Sequence, residues 1–305
     1  MGLVGHLFSA FNTKEDCHAP IMKEGGPGNS GSYTRSGGSQ RSNYSSVYVL
    51  KTPKAGGSTF VVELLRWSCM YPTVVQQFRW SETGLEQRPP ADGMSGMGVI
   101  LREPVAHTIS MYNHCQFGQG HSLHHYPSIH LDDWMRKWLE KPPTATTYCN
   151  YHPLDFQTSN LAGALEDVVP STYILKQVRM SESTAQSLSR AIRAVRTASF
   201  VGVTHRMKES LCVAAYAIYG SLPLDGRCAC ASNGKGTSAS SHVRHNSHGV
   251  DHSKVDLHNV SAGTLELMRK ATRADQVLYA HALQRLYTDV KALEGKLGVR
   301  IMCDL

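Results

Sequence analysis

Apolar positions along the chain switch between two periods. SVYVLK (46–51) is a short β-branched and aromatic run and predicts a strand; beyond it Phe60, Val61, Leu64, Leu65 and Cys69 fall on one helical face. GVILR (98–102) predicts a second, buried strand, followed by a helix with Val105, Ile109 and Tyr112 on one stripe. LDDWMRKWLE (131–140) has the pattern of an amphipathic helix. TYILK (172–176) and ASFVGV (198–203) predict further strands, and SESTAQSLSRAIRAV (181–195) a helix between them, with Ser181 or Ser183 as its N-cap. KESLCVAAYAIYG (208–220) is a helix closed by Gly220, and residues 265–295 are largely helical with a break near Ala274. Strands alternating with helices predict an α/β domain around a mainly parallel sheet.

Two stretches lack this patterning. Residues 25–46 hold 13 Gly or Ser among 22 positions, too little apolar surface to offset their ordering entropy. Residues 1–45 are therefore expected to be a disordered tail and 46–305 a single domain, interrupted by a long polar surface loop at 231–249. With 305 residues, 41% of them hydrophobic, the chain can bury a core, and its lack of any run of 18 apolar residues excludes a conventional membrane-spanning helix. The opening MGLVGHLFSA has no basic region before its apolar stretch, which Gly5 and His6 interrupt, and His6 stands where a myristoylation signal needs Ser or Thr. Neither a secretory signal nor lipidation is expected, so the sequence alone points to a soluble, cytoplasmic protein. The eight scattered cysteines, Cys228-Ala229-Cys230 among them, suit neither a disulfide scaffold nor a zinc site, and free thiols are expected. The 16 histidines cluster at 121–130 and 242–252 without an HExxH pattern, so no metal is expected. A net charge of +7 favours an anionic partner without choosing it.

That choice comes from Lys51-Thr52-Pro53-Lys54-Ala55-Gly56-Gly57-Ser58-Thr59, a strand running through a Gly-rich turn into a helix. Glycines let backbone amides approach an anion without a Cβ in the way, and a helix start adds unpaired donors at a positive dipole end. Ser58 and Thr59 add hydroxyls and Lys54 a full charge. The nucleoside-triphosphate pattern puts a Lys after the last Gly, whereas here Lys54 precedes Gly56 and Gly57. An ordinary Gly turn with a capping Ser has the same local features. A second candidate, LREPVAHTIS (101–110), again lies where a strand enters a helix. Arg102 can grip a phosphate bidentately, or pair with a nearby carboxylate, and Pro104 fixes the helix entry.

Together PKAGGST and LREPVAHTIS resemble the two cofactor loops of sulfotransferases that use 3′-phosphoadenosine 5′-phosphosulfate (PAPS). The resemblance spans roughly residues 46–290 in order. YCNYHPLDFQTSNLAG (148–163), FVGVTHRMKESLCVAAY (200–216), HVRHNSHGV (242–250) and DQVLYAHALQRL (275–286) are similar to segments of Golgi carbohydrate sulfotransferases, the heparan-sulfate O-sulfotransferases above all. His107 stands where the family often has a second Arg, and His205 where Glu is usual. The resemblance implies a three-layer P-loop-like α/β fold, a mainly parallel central sheet flanked by helices, and a Golgi location. It implies a 5′-phosphosulfate site at Lys54, Ala55, Gly56, Gly57, Ser58 and Thr59, a 3′-phosphate site at Arg102 and Ser110, and a closing loop at Asn246 and Ser247.

The implied reaction transfers the sulfuryl group of PAPS in line to a hydroxyl of a carbohydrate or small molecule and leaves the bisphosphate PAP. No nucleic acid or membrane span enters it. Lys54 suits charge on the leaving oxygen, and a base must take the hydroxyl proton. Residues 70–98 hold no His, so Glu82 is the expected base, then His114, one turn beyond Ser110, then His152. The readings that compete are a nucleotide-dependent kinase and a non-catalytic anion-binding protein on the same fold.

Overall fold

A computed structural model describes residues 31–34, 40–41, 46–52, 55–68, 73–74, 77–81, 95–117, 129–140, 153–162, 184–223, 226–230 and 255–303. The chain is α/β. Its main sheet is built from β1 (Gly31–Thr34), β3 (Ser46–Lys51), β5 (Gln77–Ser81), β6 (Ser95–Leu101) and β7 (Phe200–Val203), in the spatial order β1-β5-β3-β6-β7. β5, β3, β6 and β7 run parallel and β1 is an antiparallel edge. A separate two-stranded pair joins β2 (Gln40–Arg41) to β4 (Thr73–Val74). β1 and β2 lie inside the Gly/Ser-rich stretch read as a tail. There β1 is held by backbone pairing to β5, and β2 by pairing to β4.

The helices are α1 (Gly57–Ser68), α2 (Pro104–Phe117), α3 (Leu131–Glu140), α4 (Phe156–Ala162), α5 (Thr184–Thr197), α6 (Met207–Tyr219), α7 (Ala262–Ala271) and α8 (Arg273–Leu297). α1 packs on β3, and α6 and α8 pack on β7. The apolar runs that predict strands are those buried at the sheet: Val47, Val49 and Leu50 of β3, Val99 and Ile100 of β6, and Phe200 and Val201 of β7 sit in one core with Phe60, Val61 and Leu64 of α1. A second cluster holds the Val105–Ile109–Tyr112 stripe against Trp134 and Met135 of α3 and Met268 of α7. Gly220 ends α6 in the left-handed conformation at φ 73°, its amide on Tyr216 O. The break expected near Ala274 falls at Thr272, between α7 and α8. α5 starts one residue after Ser183, which lies outside the described residues along with Ser181, the strand expected at 172–176 and the loop at 231–249.

The cysteines correct the expectation of free thiols. Cys212 bonds Cys228 and Cys230 bonds Cys303, and Cys115 is disulfide-bonded as well. Scattered in sequence, they converge because the turn after α6 folds back on that helix and then meets the C-terminal segment, where the Cys230 amide donates to Arg300 O at 2.7 Å. The C-x-C spacing thus places two neighbours in two different bridges. Among the described residues no helix is long and apolar enough to cross a membrane.

Candidate functional site

The strand order fixes where a ligand can sit. From β3 the chain goes to β5 on one side and then returns to β6 on the other, so the topological switch point lies between β3 and β6. In open α/β sheets the crevice outside the carboxyl ends of the strands at that point is the binding position. Both loops singled out from the sequence open into it.

The first loop is held by its own backbone and by one hydroxyl. The Ala55 amide donates to Thr52 O at 3.0 Å, Gly56 turns the chain at φ +71°, and α1 starts at Gly57 with Phe60 N on Gly56 O at 3.1 Å. A Cβ on Gly56 would meet Thr204 Cγ2 at 2.9 Å, so glycine is required by both conformation and space. The first amides of a helix lack intrahelical partners, and no acidic residue occupies the first turn of α1. Thr204, directly after β7, shares its single hydroxyl proton between Ala55 O at 2.5 Å and Leu101 O at 3.1 Å, tying this loop to the end of β6.

The second loop is held by side chains. Gln157 of α4 brackets Arg102: the Arg102 amide donates to Gln157 Oε1 at 2.9 Å, and Gln157 Nε2 donates to Arg102 O at 2.9 Å. The half-buried guanidinium is pushed below its ordinary pKa by desolvation, with the Glu103 carboxylate opposing. Glu103 caps α2, accepting from Val105 N at 3.1 Å and Ala106 N at 2.6 Å. A carboxylate thus already occupies the amides that start α2, whereas α1 carries no acidic residue in its first turn.

α4 is fixed by an exchange of caps. Asp155, at φ 43°, accepts from Ala274 N at 2.7 Å and Asp275 N at 3.1 Å at the start of α8. Asp275 in return accepts from Thr158 N at 2.7 Å and Gln157 N at 3.2 Å at the start of α4. Burial pushes the Asp275 carboxyl up to about 7, the Asp155 charge adds to this, and the hydrogen bonds oppose it. Asp155 is raised by its own burial, against the two amides it accepts.

Of the residues expected at the site, Ala55, Gly56, Gly57, Thr59 and Arg102 come together at the carboxyl ends of β3 and β6, with Ser58 in the first turn of α1. Ser110 and His114 lie further along α2, about 9 and 15 Å from its start at 1.5 Å per residue. Lys54, Glu82, Asn246, Ser247 and His152 lie outside the described residues. His107 is buried and packs its ring on Phe156 at 5.8 Å between centroids, which keeps it in the interior rather than in the role of a phosphate-binding Arg.

Sequence reasoning passed over Thr204, Gln157 and the capping role of Glu103. It also passed over a pair beside Thr204, in which Tyr279 Oη is hydrogen-bonded to His205 Nδ1. Gln157, Thr204 and His205 lie in segments 148–163 and 200–216 that carry the family resemblance, and Thr204 directly follows a strand that ends beside both loops. Among the described residues no three His, Cys, Asp or Glu side chains group as a metal site. Compared with models of protein families and with curated proteins, the chain finds no match.

Proposed function

We propose that the chain is a sulfotransferase that moves the sulfuryl group of PAPS to an acceptor hydroxyl of a carbohydrate, on a P-loop-like variant of its α/β fold. The observation that carries this is the meeting of two anion-suited loops at the β3/β6 switch point, held together through Thr204. The cradle fits such a cofactor. Its first loop has no room for a Cβ at Gly56 and leads into the start of α1, and its second carries a half-buried guanidinium on a backbone bracketed by Gln157.

PAPS supplies the activated sulfuryl group. The amides at the start of α1, with the hydroxyl of Thr59, bind its 5′ end, and Arg102 binds the 3′-phosphate as a charged fork. Lys54 neutralises charge gathering on the leaving oxygen. Disulfides form and persist in oxidising compartments, so the pairs at Cys212–Cys228 and Cys230–Cys303 support a Golgi-type lumen rather than the cytoplasm expected from the sequence alone.

The test is thermal denaturation of the full chain with PAP or ATP, joined to transfer of ³⁵S from labelled PAPS to unsulfated glycosaminoglycans and simple glycosides. PAP at a hundredfold excess over its Kd is expected to raise Tm by about 5 °C, with little effect of ATP. Stabilisation by ATP alone would favour the kinase reading. Stabilisation by PAP without transfer to any acceptor would favour the binding protein.

A further inference from the structure

We propose that His205 is the proton acceptor of this site, with Tyr279 as the residue that positions it. The assignment rests on the sulfotransferase reading. His205 follows Thr204, whose hydroxyl touches Ala55 O of the first loop and Leu101 O at the root of the second. One residue is a step of about 3.8 Å, so the imidazole is carried on the same end of the sheet as both loops. It stands in a short 3₁₀ turn, Thr204–Arg206, between β7 and α6. His114, by contrast, is several turns along α2.

Tyr279, in the second turn of α8, holds Nδ1. A neutral imidazole with Nδ1–H donating to Tyr279 Oη presents a bare Nε2, the atom a general base needs. The phenol is pushed above its ordinary pKa by burial, with Glu103 and Tyr287 adding to this, so it stays a neutral partner for the ring. His205 keeps an exposed face, yet the protein around it disfavours the imidazolium. Desolvation lowers its pKa, Arg206 beside it adds to this, and Glu209 of α6 and Glu103 at the start of α2 oppose. A ring that is neutral near pH 7 and flanked by two carboxylates can accept a proton as it develops and pass it on to water.

The step balances. The acceptor oxygen forms a bond to sulfur while the bond from sulfur to the bridging oxygen of the phosphosulfate breaks. That bonding pair leaves with PAP. The hydroxyl proton goes to Nε2 of His205 and from the exposed ring to solvent.

The test uses His205→Gln and Tyr279→Phe in the full chain. His205→Gln is expected to lower turnover from PAPS by about 10²-fold or more while keeping the thermal response to PAP. Tyr279→Phe is expected to cost less and to move the acidic limb of the kcat profile. Turnover of His205→Gln within about threefold of the parent, or a loss of PAP stabilisation in step with turnover, overturns the assignment while leaving the sulfotransferase reading intact. A parent chain that neither responds to PAP nor transfers sulfate sinks both. ¹⁵N NMR of the histidines needs no acceptor. The Nδ1–H tautomer with an Nε2 shift on adding PAP is expected, and an Nε2–H tautomer in the PAP complex overturns the proposal.

Discussion

The two loops at the switch point reach the same place by opposite means. The first is a backbone device: a left-handed glycine, a helix start with no acidic residue in its first turn and one borrowed hydroxyl from Thr204. The second is a side-chain device: Arg102 is bracketed by Gln157, its helix start is occupied by Glu103, and the helix that supplies Gln157 is itself pinned by Asp275. On the proposed reading the first loop would bind an anion through amides, and the second through its guanidinium, since Glu103 already occupies the α2 amides. A ligand with a compact anionic group at one end and a phosphate gripped by a charged fork at the other matches that asymmetry.

Gly56→Val attacks the first loop where it has least freedom. A β-branched residue at φ +71° with its Cβ 2.9 Å from Thr204 must distort the turn. The expected cost is about 3 kcal/mol of stability, measured by urea denaturation, together with loss of the thermal response to PAP. A variant that still responds to PAP would show that the loop does not carry the 5′ end. Gln157→Leu attacks the second loop, leaving the Arg102 amide and carbonyl without their bracketing partner. About 2 kcal/mol is expected by the same measurement, with PAP weakened and α1 amide exchange unchanged. Equal loosening at both loops would mean that they are one unit.

What the sequence reveals follows the same division. β3, α1, β6 and α2 are legible because their apolar periods face the sheet or the second core, and α3 falls on the predicted 131–140 because its stripe is bounded by polar ends. The first loop is legible too, since its strand end, glycine turn and helix start lie in consecutive residues. The frame of the second loop is not. Gln157 and Arg102 are 55 positions apart, and α4 is seven buried residues, FQTSNLA, with no periodic signal. β5, QFRWS, reads as a mixed polar segment, yet it lies beside β3 inside the sheet. The cysteine pairs are invisible for a related reason, because contact between positions 230 and 303 is a property of the closed fold.

The caps of α4 separate the loops by pH. Folding raises Asp275 from the ordinary carboxylate value of 3.8 to about 7, so the folded chain binds the extra proton. Its contribution to stability is then fully present below about pH 4 and is lost as pH rises through about 7; Asp155 is shifted in the same direction. Between about pH 5.5 and 8, amide exchange corrected for its intrinsic rate should accelerate at Arg102 and Thr158 more than at Phe60. Asp275→Asn should flatten that difference. Acceleration shared equally by Phe60 would break the separation.

The smallest effect sharpens the comparison most. Glu103→Ala removes the cap of α2 and should cost about 1 kcal/mol in urea denaturation. It also frees the amides of Val105 and Ala106 and takes a negative charge from beside Arg102. The second helix start would then resemble the first, and isothermal titration should show PAP binding about two- to fivefold more tightly. Weaker binding would mean that the cap holds Arg102 in position as much as it blocks the helix end. The occupied start would then be part of the grip on the 3′-phosphate, and the two loops would differ in construction while both depending on a helix terminus.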